Sequence, residues 1–182
     1  MQYRSKVVPE EMTDAFQIRL FDDADPAVIA AAFGSIGWVK PEAQFQRYLA
    51  EQATGIRTCF VATLGGNFAG YVTVNWEPTY PGFADTKIPE IQDLNVLPEF
   101  RRRGVATRLL DRAEVEVASR SAIAGIGVGL HPGYNDAQKL YVKRGYIPDG
   151  RGIAYRDRYV LEGEQVVLDD DLVLHLIRRL HP

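Results

Sequence analysis

Apolar and polar positions divide the chain into short strands and amphipathic helices. Gln17 to Phe21 is a short strand candidate closed by Asp22-Asp23-Ala24-Asp25. Asp25 before Pro26 reads as an N-cap and a first helical position, predicting a helix from Pro26 to Phe33 that Gly34 ends. Trp38-Val39-Lys40-Pro41 opens a second helix running to Glu51, with Phe45, Tyr48 and Leu49 as its apolar stripe. Thr58 to Leu64 and Phe68 to Trp76 read as strands joined by a hairpin turn at Gly65-Gly66-Asn67. Glu77 to Pro89 holds Pro78, Pro81, Gly82 and Pro89, a loop long enough to suggest function.

Glu90 to Leu97 is the next strand. Val105, Ala106, Leu109, Leu110, Ala113 and Val117 then recur at helical spacing, predicting a helix from Gly104 to Arg120. In the strand Ala122 to Leu130, Gly125, Gly127 and Gly129 alternate with Ile126, Val128 and Leu130. A glycine face admits a close backbone or ligand, and tight helix-on-sheet packing explains it equally well. After a turn at His131-Pro132-Gly133, Tyr134 to Arg144 forms a helix closed by Gly145. Tyr146-Ile147-Pro148 and Ile153 to Leu161 form a further strand region. Val166 to Leu168 and Leu172 to Ile177 are short strand candidates around Asp169-Asp170-Asp171, read as a solvated turn. Leu172 to Leu180 either covers a sheet edge or joins a partner.

The order β-α-α-β-β-β-α-β-α-β-β predicts an α+β fold. Its mixed, mostly antiparallel twisted sheet carries helices on both faces. The unit from Glu90 to Leu130 is a right-handed parallel crossover. With no repeat or linker, residues 1–182 read as one domain with a polar arm over 1–16.

Composition narrows the function. The chain has 182 residues, 46% of them hydrophobic and 25% charged, which describes a globular protein with a real core. The net charge of −3 argues against a nucleic-acid partner. Arginines cluster locally at Arg101 to Arg103, Arg108 and Arg112, which suits a small polyanion. Cys59, the one cysteine, lies in an apolar run and reads as a buried structural thiol. His131, His175 and His181 show no ligand spacing, so no metal is expected. No apolar run approaches the length a bilayer needs, and a cytoplasmic protein is expected.

The strand ending at Leu97 turns through three arginines into a helix at Gly104. A strand-to-helix corner aims unpaired backbone N–H groups at one point, and the helix dipole adds positive charge there. Such a corner binds anions. Gly104 removes a side chain where an anion must approach. Neither G-x-x-x-x-G-K-[ST] nor G-x-G-x-x-G is present.

Arg101-x-x-Gly104-x-Ala106 resembles the pyrophosphate loop, R/Q-x-x-G-x-G/A, of the GNAT superfamily of acyl-CoA-dependent N-acetyltransferases. Leu140-Tyr141-Val142-Lys143-Arg144-Gly145-Tyr146 resembles that family's L-Y-x-K-x-G-F/Y segment. The element order agrees with the family from about residue 17 to 178. The resemblance implies acetyl-CoA as donor, with the pyrophosphate held by the backbone N–H groups of Arg102, Arg103, Gly104, Val105, Ala106 and Thr107, and with Arg101, which opens the motif, among the cofactor-binding residues. It implies that Leu94, Asn95 and Val96 border the pantetheine arm, which pairs with the main chain of Leu94 and Val96. The Leu94 amide would polarise the thioester carbonyl, in a gap where two strands splay. Tyr141 matches the general acid that protonates the departing thiolate. Glu90 stands where a catalytic glutamate occurs in the histone-acetylating branch. Many relatives place an asparagine where this chain has Tyr134, so Asn135 sits one residue late for a coenzyme contact.

The residues support the same chemistry independently. An amine attacks a thioester only when neutral, so a base must take its proton, directly or through water. The resemblance makes Glu90 the preferred base and Asp93 the second, facing the other way unless a bulge near Asn95 redirects it. No protein nucleophile is needed. Trp38, Trp76, Tyr80 and Phe83 are candidate walls for the acceptor, a small-molecule or peptide amine. Glu77, Asp85 and Glu90 favour a cationic one. A non-catalytic acyl-CoA-binding module is the alternative, and a homodimer is left open.

Overall fold

The computed structural model describes residues 15–180. Nearly all of the polar arm expected over residues 1–16, and His181, lie outside the described residues. In chain order the elements are β1 (Phe16–Leu20), α1 (Asp25–Ser35), α2 (Glu42–Ala53), β2 (Arg57–Leu64) and β3 (Asn67–Asn75). Then come α3 (Pro81–Ala84), β4 (Glu90–Val96), α4 (Val105–Ala118), β5 (Ile123–Gly129) and α5 (Asn135–Lys143). The last three are β6 (Ile147–Tyr155), β7 (Arg158–Tyr159) and β8 (Leu172–Arg179).

All eight strands form one sheet in the order β1-β2-β3-β4-β5-β8-β6-β7. Only β4 and β5 run parallel; every other neighbouring pair is antiparallel. The mixed α+β architecture expected from the sequence is therefore the one observed. Gly65 and Gly66 both take positive φ, 59° and 79°, as a tight hairpin between β2 and β3 requires.

Alternation along the strands assigns the faces. Tyr71 of β3 meets Phe33 of α1 at 6.0 Å and Phe45 of α2 at 5.3 Å between ring centroids. The neighbouring Val72 pairs with Phe60, whose ring lies 4.2 Å under the Arg112 guanidinium of α4. So α1 and α2 cover one face and α4 the other. α4 buries Val105, Leu109, Leu110, Ala113 and Val117, the periodic residues that predicted it. Among the described residues no helix is long and apolar enough to cross a membrane.

Several expectations change. Asp25 is the first residue of α1 rather than its N-cap, and the helix runs through Gly34 to Ser35. The Asp25 carboxylate accepts two bonds from Arg19, at 2.6 and 2.8 Å, and one from the Asp22 amide at 2.7 Å. Val166 to Leu168 is not a strand; Val167 and Leu168 are exposed and have no sheet to join. β8 neither covers an edge nor waits for a partner, because it is inserted between β5 and β6. The aspartate turn is tied down: Asp170 accepts from the Tyr134 hydroxyl at 3.2 Å and lies 2.8 Å from His131 Nε2. Asp169 accepts from the Tyr155 hydroxyl at 3.1 Å. The proline-rich loop contains the single turn α3.

Candidate active site

β4 and β5 pair only at Glu90 with Gly125 and Ile91 with Ile126. Beyond that point they separate. β5 instead pairs along its full length with β8, from Ile123–Arg179 to Gly129–Val173. β4 is bent by a bulge: Gln92 faces Thr73 and Asn95 faces Tyr71, so Asp93 and Leu94 together oppose Val72. Asp93 absorbs the extra residue at φ 54°. From Gln92 to Val96, β4 therefore presents an edge with no ladder partner on the β5 side, and Leu94, Asn95 and Val96 all lie on it.

That edge leads to the arginine corner. A single turn at Pro98–Phe100 reverses the chain, Arg102 adopts φ 59°, and Gly104 precedes α4 at φ 80°. Among the described residues, neither the Arg102 amide nor those from Gly104 to Thr107 donate a hydrogen bond to the backbone; the first in the helix that does is Arg108, to the Gly104 carbonyl at 3.1 Å. The N–H groups of Arg102 and of Gly104 to Thr107 thus lie without backbone partners at the positive end of a 14-residue helix. A Cβ at Gly104 would meet nothing within 4 Å, so glycine is needed there for its left-handed backbone rather than to clear space. Arg101, Arg102 and Arg103 are exposed. Arg101 Nε donates to the Val96 carbonyl at 3.2 Å and its guanidinium lies 5.3 Å from the Trp38 ring. Asn135 opens α5 and is exposed, while the Tyr134 ring lies flush on Gly129.

Glu90 and Gln92 face α1 and α2, since they pair with Asn75 and Thr73 on the Tyr71 side of β3. A regular strand would send Asp93 to the α4 side, but the bulge brings it back. Its Oδ2 accepts from the Tyr48 hydroxyl of α2 and, at 3.5 Å, from Gln44 Nε2.

Glu90 is only 6% exposed. Gln92 Nε2 donates to its Oε2 at 2.7 Å. The amide orientation of Gln92 is fixed because its Oε1 accepts from Arg57 at 3.0 Å, and a guanidinium can only donate. Arg57 also holds Glu51 at 2.5 Å and Thr73 Oγ1 at 2.8 Å. Burial pushes the Glu90 carboxyl up to about 8, against the opposing Gln92 hydrogen bond. Its Oε1 lies 3.7 Å from His175 Nε2. Burial drives His175 down to about 4, so each group is pushed towards its neutral form and the contact is not an ion pair at neutral pH. The imidazole lies parallel to the Tyr80 ring at 3.5 Å and meets Phe83 edge-on at 5.2 Å.

The glycines of β5 form the floor of this cluster. An added Cβ would fall 2.5 Å from the Phe83 ring at Gly125, 3.3 Å from Glu90 Oε1 at Gly127, and 2.4 Å from the Tyr134 ring at Gly129. The glycine face is thus occupied by side chains from three other segments.

Tyr141 of α5 is buried, with its ring centroid 6.0 Å from that of Tyr146. Its hydroxyl makes no hydrogen bond among the described residues. Burial, then Tyr134 and Asp93, raise its pKa, so the phenol holds its proton.

The four aromatic candidates part company. Trp38 is 40% exposed, stacked on Phe33 beside the arginine corner. Tyr80 and Phe83 are buried around His175 instead of lining an open wall, and the Tyr80 hydroxyl donates to Asp149 at 2.8 Å. Trp76 follows Asn75, the partner of Glu90, and falls on the α4 face of the sheet, opposite to Glu90. Its Nε1 donates to Thr58 at 3.0 Å and its ring lies 4.2 Å from Arg120, past the end of α4, about 20 Å along that helix from Gly104. Glu77 and Asp85 are exposed. Three residues of the cluster carried no site assignment from sequence: His175, Gln92 and Tyr48. A histidine between Leu174 and Leu176 in an apolar strand, and the i,i+4 spacing of Gln44 and Tyr48, were the available signals. No group of three or more metal-ligand side chains occurs among the described residues.

The chain matches the acetyltransferase (GNAT) family over residues 13–146. No curated protein matches it in sequence. Solved structures share its fold. One is yncA from Salmonella typhimurium, determined with its cofactor acetyl-CoA, at 19% identity and a TM-score of 0.65, covering 92% of this chain and 95% of that one. Another is Ard1 from Thermoplasma volcanium, at 17% identity and a TM-score of 0.67, covering 92% and 99%. The ribosomal-protein-S18-alanine N-acetyltransferase from Escherichia coli aligns at 14% identity and a TM-score of 0.65, covering 91% and 94%. At such identities the likeness is one of fold, whereas the family match spans well over half of the sequence. The chain belongs to the acetyltransferase (GNAT) family.

Proposed function

We propose that this chain moves an acetyl group from acetyl-CoA to a primary amine, on a small molecule or a peptide, by direct attack in a ternary complex. One observation carries the reading: β4 parts from β5 beyond Ile91, and its bare edge leads to a helix N-terminus where the amides of Arg102 and of Gly104 to Thr107 have no backbone partner. An open strand edge suits an extended arm with its own amide groups, and the helix N-terminus suits a diphosphate. Coenzyme A carries both in that order.

Acetyl-CoA supplies an activated carbonyl and a thiolate leaving group. The residues of this chain do the rest. The Leu94 amide is the hydrogen-bond donor for the carbonyl oxygen. Glu90, directly or through a water, takes the proton that makes the amine nucleophilic, and its raised pKa places it near the pH at which such a base works. Asp93 is the second candidate for that role. The C–N bond forms, the C–S bond breaks, and the Tyr141 phenol gives its proton to the sulfur. Trp38 borders the mouth.

The test is a thiol-release screen with acetyl-CoA against polyamines, aminoglycosides, amino acids, and lysine or N-terminal peptides, alongside calorimetry of acetyl-CoA binding. Thiol release with one amine class is expected. Tight binding with no release from any of them would make the chain an acyl-CoA-binding module instead.

A further inference from the structure

β4 and β8 both pair with β5 and never with each other. Glu90 and His175 nevertheless meet, because Gly127 between them has no side chain; a Cβ there would lie 3.3 Å from Glu90 Oε1 and 3.6 Å from the His175 ring. The imidazole cannot swing, being pressed on Tyr80 and edged by Phe83. Gln92 holds Glu90 Oε2, which leaves Oε1 turned to His175 Nε2.

The other ring nitrogen fixes the tautomer. His175 Nδ1 is buried with no hydrogen-bond partner among the described residues. A neutral imidazole carries one N–H. On Nδ1 that hydrogen would be an orphaned buried donor, the rarest kind of unpaired polar group. On Nε2 it points at Glu90 Oε1, which accepts it once the carboxyl is ionised, above about pH 8, and Nδ1 loses only an acceptor. We propose that His175 is a positioning residue for Glu90, its Nε2–H held against Oε1 so as to favour the carboxylate in the orientation that Gln92 sets from the other side. This rests on the reading of Glu90 as the base. The separation of 3.7 Å is longer than a hydrogen bond, and an approach of less than about 1 Å closes it. Because Nδ1 has no onward partner, the ring cannot pass a proton through; its role is orientation.

The other groups bearing on the pair are Arg57 of β2, Asp93 of β4, Asp149 of β6, and Asp157 in the turn before β7. Asp149 and Asp157 favour a charged imidazole, and burial outweighs them.

Nitrogen–proton NMR of the whole protein above about pH 8, where Glu90 is ionised, reads the His175 tautomer without any variant, and Nε2–H is expected. Carbon NMR of the Glu90 carboxyl, followed through pH, is compared in wild type, His175→Phe and His175→Gln. The titration should move up by about one pH unit or more in His175→Phe, which keeps the ring stack but donates nothing, and return towards wild type in His175→Gln. In His175→Phe, kcat should fall about ten-fold with the KM for acetyl-CoA held. An Nδ1–H tautomer, or a Glu90 titration unmoved in His175→Phe, overturns the proposal. If the NMR results hold but Glu90→Gln keeps the acidic limb of the rate profile, the coupling stands and only the assignment of the base falls.

Discussion

Glu90 and His175 face each other at 3.7 Å across a strand to which neither belongs, and Gly127 is the residue that lets them do so. The contact tests itself through that glycine. In Gly127→Ala the new methyl would fall 2.9 Å from Val173 Cγ1 and 3.3 Å from Glu90 Oε1, with β8 paired alongside. We expect a stability loss of about 1–3 kcal/mol from overpacking. We also expect kcat to fall at least ten-fold, with acetyl-CoA affinity unchanged, because the arginine corner lies elsewhere. Denaturant unfolding and steady-state kinetics check both. A variant with wild-type kcat would show that the position of Glu90 is immaterial.

Stability should depend on pH in a way that separates the two residues. Folded Glu90 holds its proton up to about 8, whereas in the unfolded chain it releases it near 4.3. Between those values the folded state binds the extra proton, so this contribution falls as pH rises and is gone above about 8. His175 acts oppositely. Its pKa drops to about 4 on folding, so its contribution is full above about 6.5 and lost as pH falls towards 4. Between pH 6.5 and 8 only the Glu90 effect operates. Glu90→Gln should therefore gain stability relative to wild type across that interval, with a constant difference above it. Unfolding free energies measured at intervals from pH 5 to 9 test this. A parallel pair of curves would mean that Glu90 is already ionised in the folded protein.

The features legible in the sequence are those set by local pattern. The periodic residues from Val105 to Val117 gave α4, and the turn through Arg101 to Gly104 marked the corner before it. The glycine alternation in β5 was visible, but its cause was not, since Phe83, Glu90 and Tyr134 reach it from three distant segments. Asp93 shows why the carboxylates were hard to place. A bulge near Asn95 could be raised as an alternative from sequence, but whether it forms, and that Asp93 takes φ 54° in it, is set by how β4 pairs with β3. His175 stayed hidden for a related reason. The insertion of β8 between β5 and β6 is a long-range pairing, and only that pairing puts a histidine opposite Gly127. For Trp76 the sequence could not tell which face it takes, because an aromatic at a strand end reads alike whether it faces a cleft or packs beneath an arginine.

Tyr141→Phe separates catalysis from packing. The hydroxyl makes no hydrogen bond among the described residues, so its loss leaves no partner stranded, and the ring keeps its place against Tyr146. Stability should change by less than about 1 kcal/mol. If the phenol protonates the leaving sulfur, kcat should fall ten-fold or more while acetyl-CoA binds as before. The loss should also shrink for a thioester with a more acidic thiol, which needs less help to leave. An unchanged kcat would reduce Tyr141 to a packing residue.

The corner itself is tested by Gly104→Ala. Glycine stands at φ 80° and ψ 2°, and an added Cβ would touch nothing within 4 Å. The substitution therefore brings no clash and acts only through the backbone, at about 1–2 kcal/mol for a left-handed alanine. Part of that strain should appear as lost stability. Part should be relieved by turning the peptide before α4, which redirects the amides from Arg102 to Thr107. Coenzyme A should then bind several-fold more weakly by calorimetry. Acetyl-pantetheine has the same arm but no diphosphate, and its weaker binding should not change. An equal loss for both ligands would place the effect along β4 rather than at the helix terminus, and no loss for either would remove the corner from coenzyme recognition.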